Sequence, residues 1–161
     1  FQTMNAAQIN AYSQALHDSL CHVLTPVLTD WIIDLRLNTG GNLYPMLSGL
    51  SVLLGDGPVG SQTDAQGQQM FAWAIRNGVF HLGNYATATF ERHCPVPPTR
   101  PQLAVLLSPI TMSSGEAVAV ALKRHPATRF FGQPTAEGYT TATNWYQLTP
   151  QVGLNLAEGF F

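Results

Sequence analysis

The chain has 161 residues, 45% of them apolar and only 10% charged, with a formal net charge of −2. A length in this range fits one domain with one core, and the low charge fraction, against roughly 25% in an ordinary soluble domain, excludes intrinsic disorder. Seven basic residues scattered singly offer no stripe for a run of phosphates, which argues against nucleic acid, and no apolar stretch approaches the roughly 20 residues of a membrane span.

Asn5 followed by Gln8 has the form of a helix cap, and Ile9, Tyr12, Leu16, Leu20 and Val23 recur at spacings of three and four until Pro26. This predicts one amphipathic helix. Trp31 to Leu37, WIIDLRL, reads as a strand buried on both faces that runs into the glycine turn Asn38-Thr39-Gly40-Gly41. From Asn42 to Leu54 the apolar residues Leu43, Met46, Leu47, Leu50 and Leu54 return to a helical period. Residues 55–100 lose that period, alternate at Phe71, Trp73 and Ile75, and read as an inserted β-rich excursion.

The same order then repeats. Leu103 to Ser108 is a second buried strand, Ser113 to His125 a helix ended by Pro126, and Arg129 to Phe131 a short strand. The tail from Trp145 to Leu156 has the look of a closing hairpin. Strand, turn and helix units in series predict an α/β domain with a mainly parallel sheet. Cys21 and Cys94 have no metal-ligand spacing; two buried free thiols are favoured over a single disulfide.

Two phrases can carry chemistry. In TMSSGEAV, Thr111 to Val118, a serine sits where a strand hands over to a helix, so its hydroxyl can enter a cleft while helix N-terminal N–H groups face a developing oxyanion. Ser113 with Glu116 three residues later is also a capping box, and both readings can hold together. In DLRLNTGG, Asp34 to Gly41, paired glycines let the backbone approach a ligand closely. Asp34 and Arg36, two apart on a strand, read as an ion pair that ties down this turn.

With VLLSPITMSSGEAVAVAL and FFGQPTAEG, DLRLNTGG makes three ordered blocks that resemble the C-terminal processing, or tail-specific, serine peptidases, in the branch of tricorn-like peptidases and the repeats of interphotoreceptor retinoid-binding protein. The resemblance implies a crotonase/ClpP-like α/β core of repeated β-β-α units with the 55–100 excursion inside it. The 161 residues would then be a single catalytic core, read as a fragment of a longer chain. It further implies Ser113 as nucleophile, with the Ser114 amide and Gly40 or Gly41 as oxyanion donors and Glu116 as a helix cap beside them. A peptide or protein would be the substrate, without cofactor or metal, and the setting extracytoplasmic.

The family's usual general base, a lysine, is replaced by Gly138, and the one lysine in the chain, Lys123, lies ten residues along the same helix as Ser113, about 15 Å away. The resemblance then points to the branch whose histidine precedes the first helix and whose glutamate follows the final hairpin. Of the internal histidines, His17 and His22 belong to the polar face of the first helix and His125 to the end of a later one. His81 and His93, in the excursion, are the internal candidates for a base. The alternative function is a non-catalytic module that binds a hydrophobic, retinoid-like ligand in the same cleft. An exposed sheet edge would also allow self-association of the fragment.

Overall fold

The computed structural model describes residues 4–25, 28, 30–90, 101–137 and 140–161. Among the described residues, four helices and nine strands follow one another in the order α1 (Ala6–Val23), β1 (Asp30–Asp34), α2 (Leu43–Gly49), α3 (Ser51–Leu54), β2 (Gly57–Thr63), β3 (Gln69–Arg76), β4 (Val79–Leu82), β5 (Tyr85–Ala86), β6 (Gln102–Leu107), α4 (Ser114–Lys123), β7 (Thr128–Gly132), β8 (Thr141–Thr149) and β9 (Val152–Phe160). The strands form two sheets. One is parallel with order β1-β6-β7, and the other is six-stranded with order β5-β4-β3-β2-β9-β8.

The mainly parallel sheet expected from the sequence is therefore confined to three strands, and the larger sheet is antiparallel throughout. The reason is local: β2 to β5 are joined by short turns, which only antiparallel neighbours can use, whereas β6, α4 and β7 have the helical crossover that parallel pairing needs. The tail does close as a hairpin. β8 and β9 pair over their length and join the sheet through Thr63 opposite Phe160.

Among the described residues a core cluster joins side chains from both sheets and from the helices, with Leu47, Leu53, Trp73, Ile75, Phe80, Leu103, Val105, Val118 and Leu122 almost wholly buried. α4 packs on α2, β2 and β7 at its centre. Trp73 meets Phe80 edge to face at 6.2 Å, the geometry aromatic quadrupoles favour.

Four expectations are corrected by packing. The cap on α1 forms, with Asn5 and Gln8 exchanging hydrogen bonds of 2.9 Å, but the buried residues are Ser13, His17 and Leu20, while Tyr12 and Val23 are exposed. Ser13 can turn inward because its hydroxyl donates to the Ile9 carbonyl at 2.7 Å, and His17 because its ring stacks on Phe90 at 4.5 Å. β1 is not buried on both faces; it is an edge strand, and Ile32 on it is 71% exposed. The helix expected over Asn42 to Leu54 is divided at Leu50, beside Gly49, where the Leu16 side chain approaches so closely that a β-carbon on the glycine would fall 2.6 Å from it. Finally, Cys21 is disulfide-bonded rather than a free thiol; Cys94 lies outside the described residues.

Candidate active site

The parallel sheet places the ends of β1 and β6 side by side. Leu35 N–H donates to the Leu106 carbonyl at 3.0 Å, and beyond that point two hydroxyls take over from the ladder. Ser108 Oγ donates to the Arg36 carbonyl at 2.5 Å and Thr111 Oγ donates to the Leu35 carbonyl at 2.7 Å. The turn that follows each strand is thereby held against the other.

Ser113 stands at the junction of that second turn with α4, with φ 52° and ψ −124°. A non-glycine residue is rarely found at such angles, which cost of order 1–3 kcal/mol and persist only where the surroundings impose them. Here Met112 N–H donates to the Asn38 carbonyl at 3.1 Å on one side. On the other, Ser113 N–H donates to Glu116 Oε2 at 3.0 Å, while the Glu116 N–H donates to the Ser113 carbonyl at 2.9 Å. Sharp strand-to-helix turns of this kind project a serine hydroxyl away from the backbone.

Gly40 and Gly41 have φ of 93° and 126°, values open to glycine alone at little cost. A β-carbon on Gly40 would lie 2.8 Å from Ser113 Cβ, 3.0 Å from the Met112 carbonyl oxygen and 3.1 Å from the Ser114 nitrogen. The glycine turn and the serine turn are thus in direct contact. Gly115 is equally constrained, since its β-carbon would fall 2.6 Å from the Asn38 carbonyl oxygen.

Glu116 is 4% exposed. Besides the Ser113 N–H on Oε2, its Oε1 accepts from Thr135 Oγ at 2.8 Å and Thr140 Oγ at 2.9 Å. Three donors hold the carboxylate, which fixes it as a strut between the serine turn and the segments after β7. Asp34 and Arg36 form the expected ion pair, at 2.7 Å, but both are solvent-exposed. The Arg36 side chain, with its N–H, lowers the Asp34 carboxyl to about 2.

His22 is exposed, as its position on α1 suggested, whereas His17 is buried against Phe90 and so is not on the polar face. His125 is buried behind the end of α4, its Nδ1 facing the Ala127 N–H at 3.4 Å. His81 lies on β4 between Phe80 and Leu82 and so faces the side of the sheet opposite the fully buried Phe80, with Nδ1 3.0 Å from the Val79 carbonyl. No hydrogen bond links it to Ser113 among the described residues. His93 and Gly138 lie outside them. Among the described residues no three His, Cys, Asp or Glu side chains gather, and no helix is long and apolar enough to cross a membrane.

Sequence reasoning missed Asn38, Thr111, Thr135 and Thr140. Asn38 had a signal, because an asparagine two residues before a glycine is a standard side-chain turn former, and its Oδ1 does accept the Gly40 N–H at 3.0 Å. The threonines had none, since their partners lie far along the chain.

Next to the glycine turn a groove of about 460 Å³ runs between α1 and α2, lined by Met4, Gln8, Tyr12, Leu16, Pro45 and Met46. Met46 links it to the turn, with its Sδ 3.8 Å from Asn38 Nδ2.

A strained serine at a helix N-terminus, in contact with a glycine turn from a parallel neighbour, is an arrangement suited to acyl transfer. Comparison with known proteins agrees on the class. The sequence pattern of peptidase family S41 matches residues 3–159, and the chain belongs to that family. It is 32% identical over 158 residues to a nisin-resistance protein of Lactococcus lactis subsp. lactis, covering 98% of this chain and 47% of that protein. Among solved structures it is similar to a lipoprotein from Streptococcus agalactiae, at 26% identity and a TM-score of 0.75, over 99% of this chain and 52% of the other. Its fold is also shared with a photosystem II D1 C-terminal processing protease, at 21% identity and a TM-score of 0.55, over 99% of this chain and 35% of the other. The chain thus spans about half the length of the curated relative it matches.

Proposed function

We propose that this chain carries the acyl-transfer centre of a serine endopeptidase acting on a peptide or protein substrate. Ser113 Oγ attacks the scissile carbonyl carbon to form an acyl-enzyme, the oxyanion is held by backbone N–H groups of the Gly40/Gly41 turn and of Ser114, and Glu116 positions the serine turn without taking part in proton transfer. The observation that carries this reading is the contact between Gly40 and a Ser113 whose backbone is forced into a sharp turn. Proton transfer is assigned to a histidine ahead of α1 and a glutamate after β9, as in the branch of the family that the sequence resembles, since Lys123 ends α4 and His81 Nδ1 lies against the Val79 carbonyl; His93 is outside the described residues. A crotonase/ClpP-like core, with residues 55–100 as an excursion within a single catalytic unit, accounts for the βαβ unit of β6, α4 and β7. Likeness to a nisin-resistance protein and a lipoprotein supports an extracytoplasmic setting.

A fluorophosphonate probe tests the mechanism. The 161-residue chain is expected to label slowly for want of its base, the intact protein quickly, and Ser113→Ala not at all. Fast labelling of a residue other than Ser113 would overturn the assignment.

The groove between α1 and α2 supports a second reading, in which the chain binds a hydrophobic ligand without chemistry. Under that reading an apolar fluorophore binds in the groove with the same affinity in Ser113→Ala, and no peptide is cut.

A further inference from the structure

The two glycines of the turn differ in what their amides do. Gly40 N–H is already committed, to Asn38 Oδ1 at 3.0 Å. Gly41 N–H has no acceptor among the described residues, and neither does the N–H of Ser114, one of the first-turn donors that a helix leaves unpaired. The residue Gly41 is also held on both sides. Ahead of it, Gly40 packs on Ser113 Cβ and the Ser114 nitrogen; behind it, the Gly41 carbonyl accepts the Ser114 hydroxyl at 2.7 Å.

Consecutive glycines at positive φ have no side chains to resist rotation, so the peptide unit joining them could turn over and present a carbonyl where an N–H is needed. Here a hydrogen bond stands on each side of that unit, one accepted by the Asn38 side chain and one donated by the Ser114 side chain. We infer that Asn38 and Ser114 are positioning residues that define the oxyanion hole as the N–H groups of Gly41 and Ser114, with Gly40 as the close-packed spacer. The inference rests on the peptidase reading and deepens it.

In the attack, the Ser113 oxygen forms a bond to the carbonyl carbon, the carbonyl π pair moves onto oxygen, and the Ser113 proton leaves to the base. The negative charge then falls between two amides whose separation is set by the Ser114 hydroxyl. This hydroxyl donates its only proton to the Gly41 carbonyl and is not itself a donor to the oxyanion.

Two measurements on the intact protein test it. In the first, Ser113 is converted to a tetrahedral adduct with a peptide boronate, and the amide proton shifts of the two glycines are followed by NMR. A larger downfield shift at Gly41 than at Gly40 is expected; a larger shift at Gly40 overturns the inference. Absence of any adduct on Ser113 means instead that the peptidase reading has failed. In the second, Ser114→Ala and Asn38→Ala are expected to lower kcat roughly 10- to 100-fold with KM within about twofold, and Ser114→Thr, which keeps the hydroxyl, to recover most of it. If Gly40 were the donor, Asn38→Ala would free its N–H, so an unchanged or raised kcat in that variant overturns the inference.

Discussion

Gly40 lies against Ser113 with no room between them, since a β-carbon on the glycine would stand 2.8 Å from the serine's own. Two backbone atoms, the Met112 oxygen and the Ser114 nitrogen, close the remaining space at 3.0 and 3.1 Å. Gly40→Ala must therefore displace the serine turn as well as strain a backbone at φ 93°. A loss of about 1–3 kcal/mol of stability is expected in denaturant titration, together with a fall in fluorophosphonate labelling of the intact protein. Gly41→Ala, where the nearest atom to the new carbon is the Met46 methyl at 3.8 Å, meets only the backbone strain and should cost less stability.

Ser113 is the reverse case, a residue with a β-carbon where glycine would be more comfortable. Ser113→Gly is expected to raise stability by about 1 kcal/mol by relieving the positive φ, while abolishing hydrolysis with the lost hydroxyl. Ser113→Ala should abolish hydrolysis without that gain. Thermal melts of the two variants side by side check it.

Glu116 accepts from three donors in a nearly dry setting. Its replacement by alanine leaves Ser113 N–H and two threonine hydroxyls without their acceptor, for an expected loss of about 3 kcal/mol. Glu116→Gln keeps one acceptor oxygen and should cost roughly 1 kcal/mol. A carboxylate acting only as an exposed cap would show no such difference between the variants.

The exposed pair on β1 gives a pH signature. Asp34 has its carboxyl lowered from 3.8 to about 2 by the Arg36 side chain and N–H. A depressed folded-state pKa means a contribution to stability that is complete above the unfolded value and disappears as pH falls through about 2. Because both groups face solvent, the effect on stability is small and the titration itself is the better readout. Carboxyl NMR should place Asp34 near 2, and Arg36→Gln should return it toward 3.8.

The parts of the site visible in the sequence were those written in consecutive residues. The pairing of Ser113 with Glu116 and the glycine pair Gly40-Gly41 depend on local spacing, and the strand and helix that flank each followed from apolar runs. What the sequence concealed depended on distant neighbours. Thr135 and Thr140 gain meaning only when α4 brings Glu116 beside them. The phase of α1 was misread because the Ser13 hydroxyl donates to the Ile9 carbonyl and the flat His17 ring stacks on Phe90, which brings both to the inner face. The edge position of β1 was hidden because Ile32 and Leu37 resemble a buried strand, yet are 71% and 81% exposed.

The side-by-side placement of β1 and β6 also determines the order in which this protein can assemble. Ser108 to Arg36, Thr111 to Leu35 and Ser114 to Gly41 are hydrogen bonds across 72, 76 and 73 positions, whereas β2 to β5 pair through adjacent hairpins. Contacts so far apart in sequence must first meet the entropy of closing a long loop, so they form late, and the antiparallel strands between them can be in place beforehand. The contacts that shape the serine turn therefore carry a large loop-closure cost, and a variant that loosens β2 to β5 would be felt at a site it never touches.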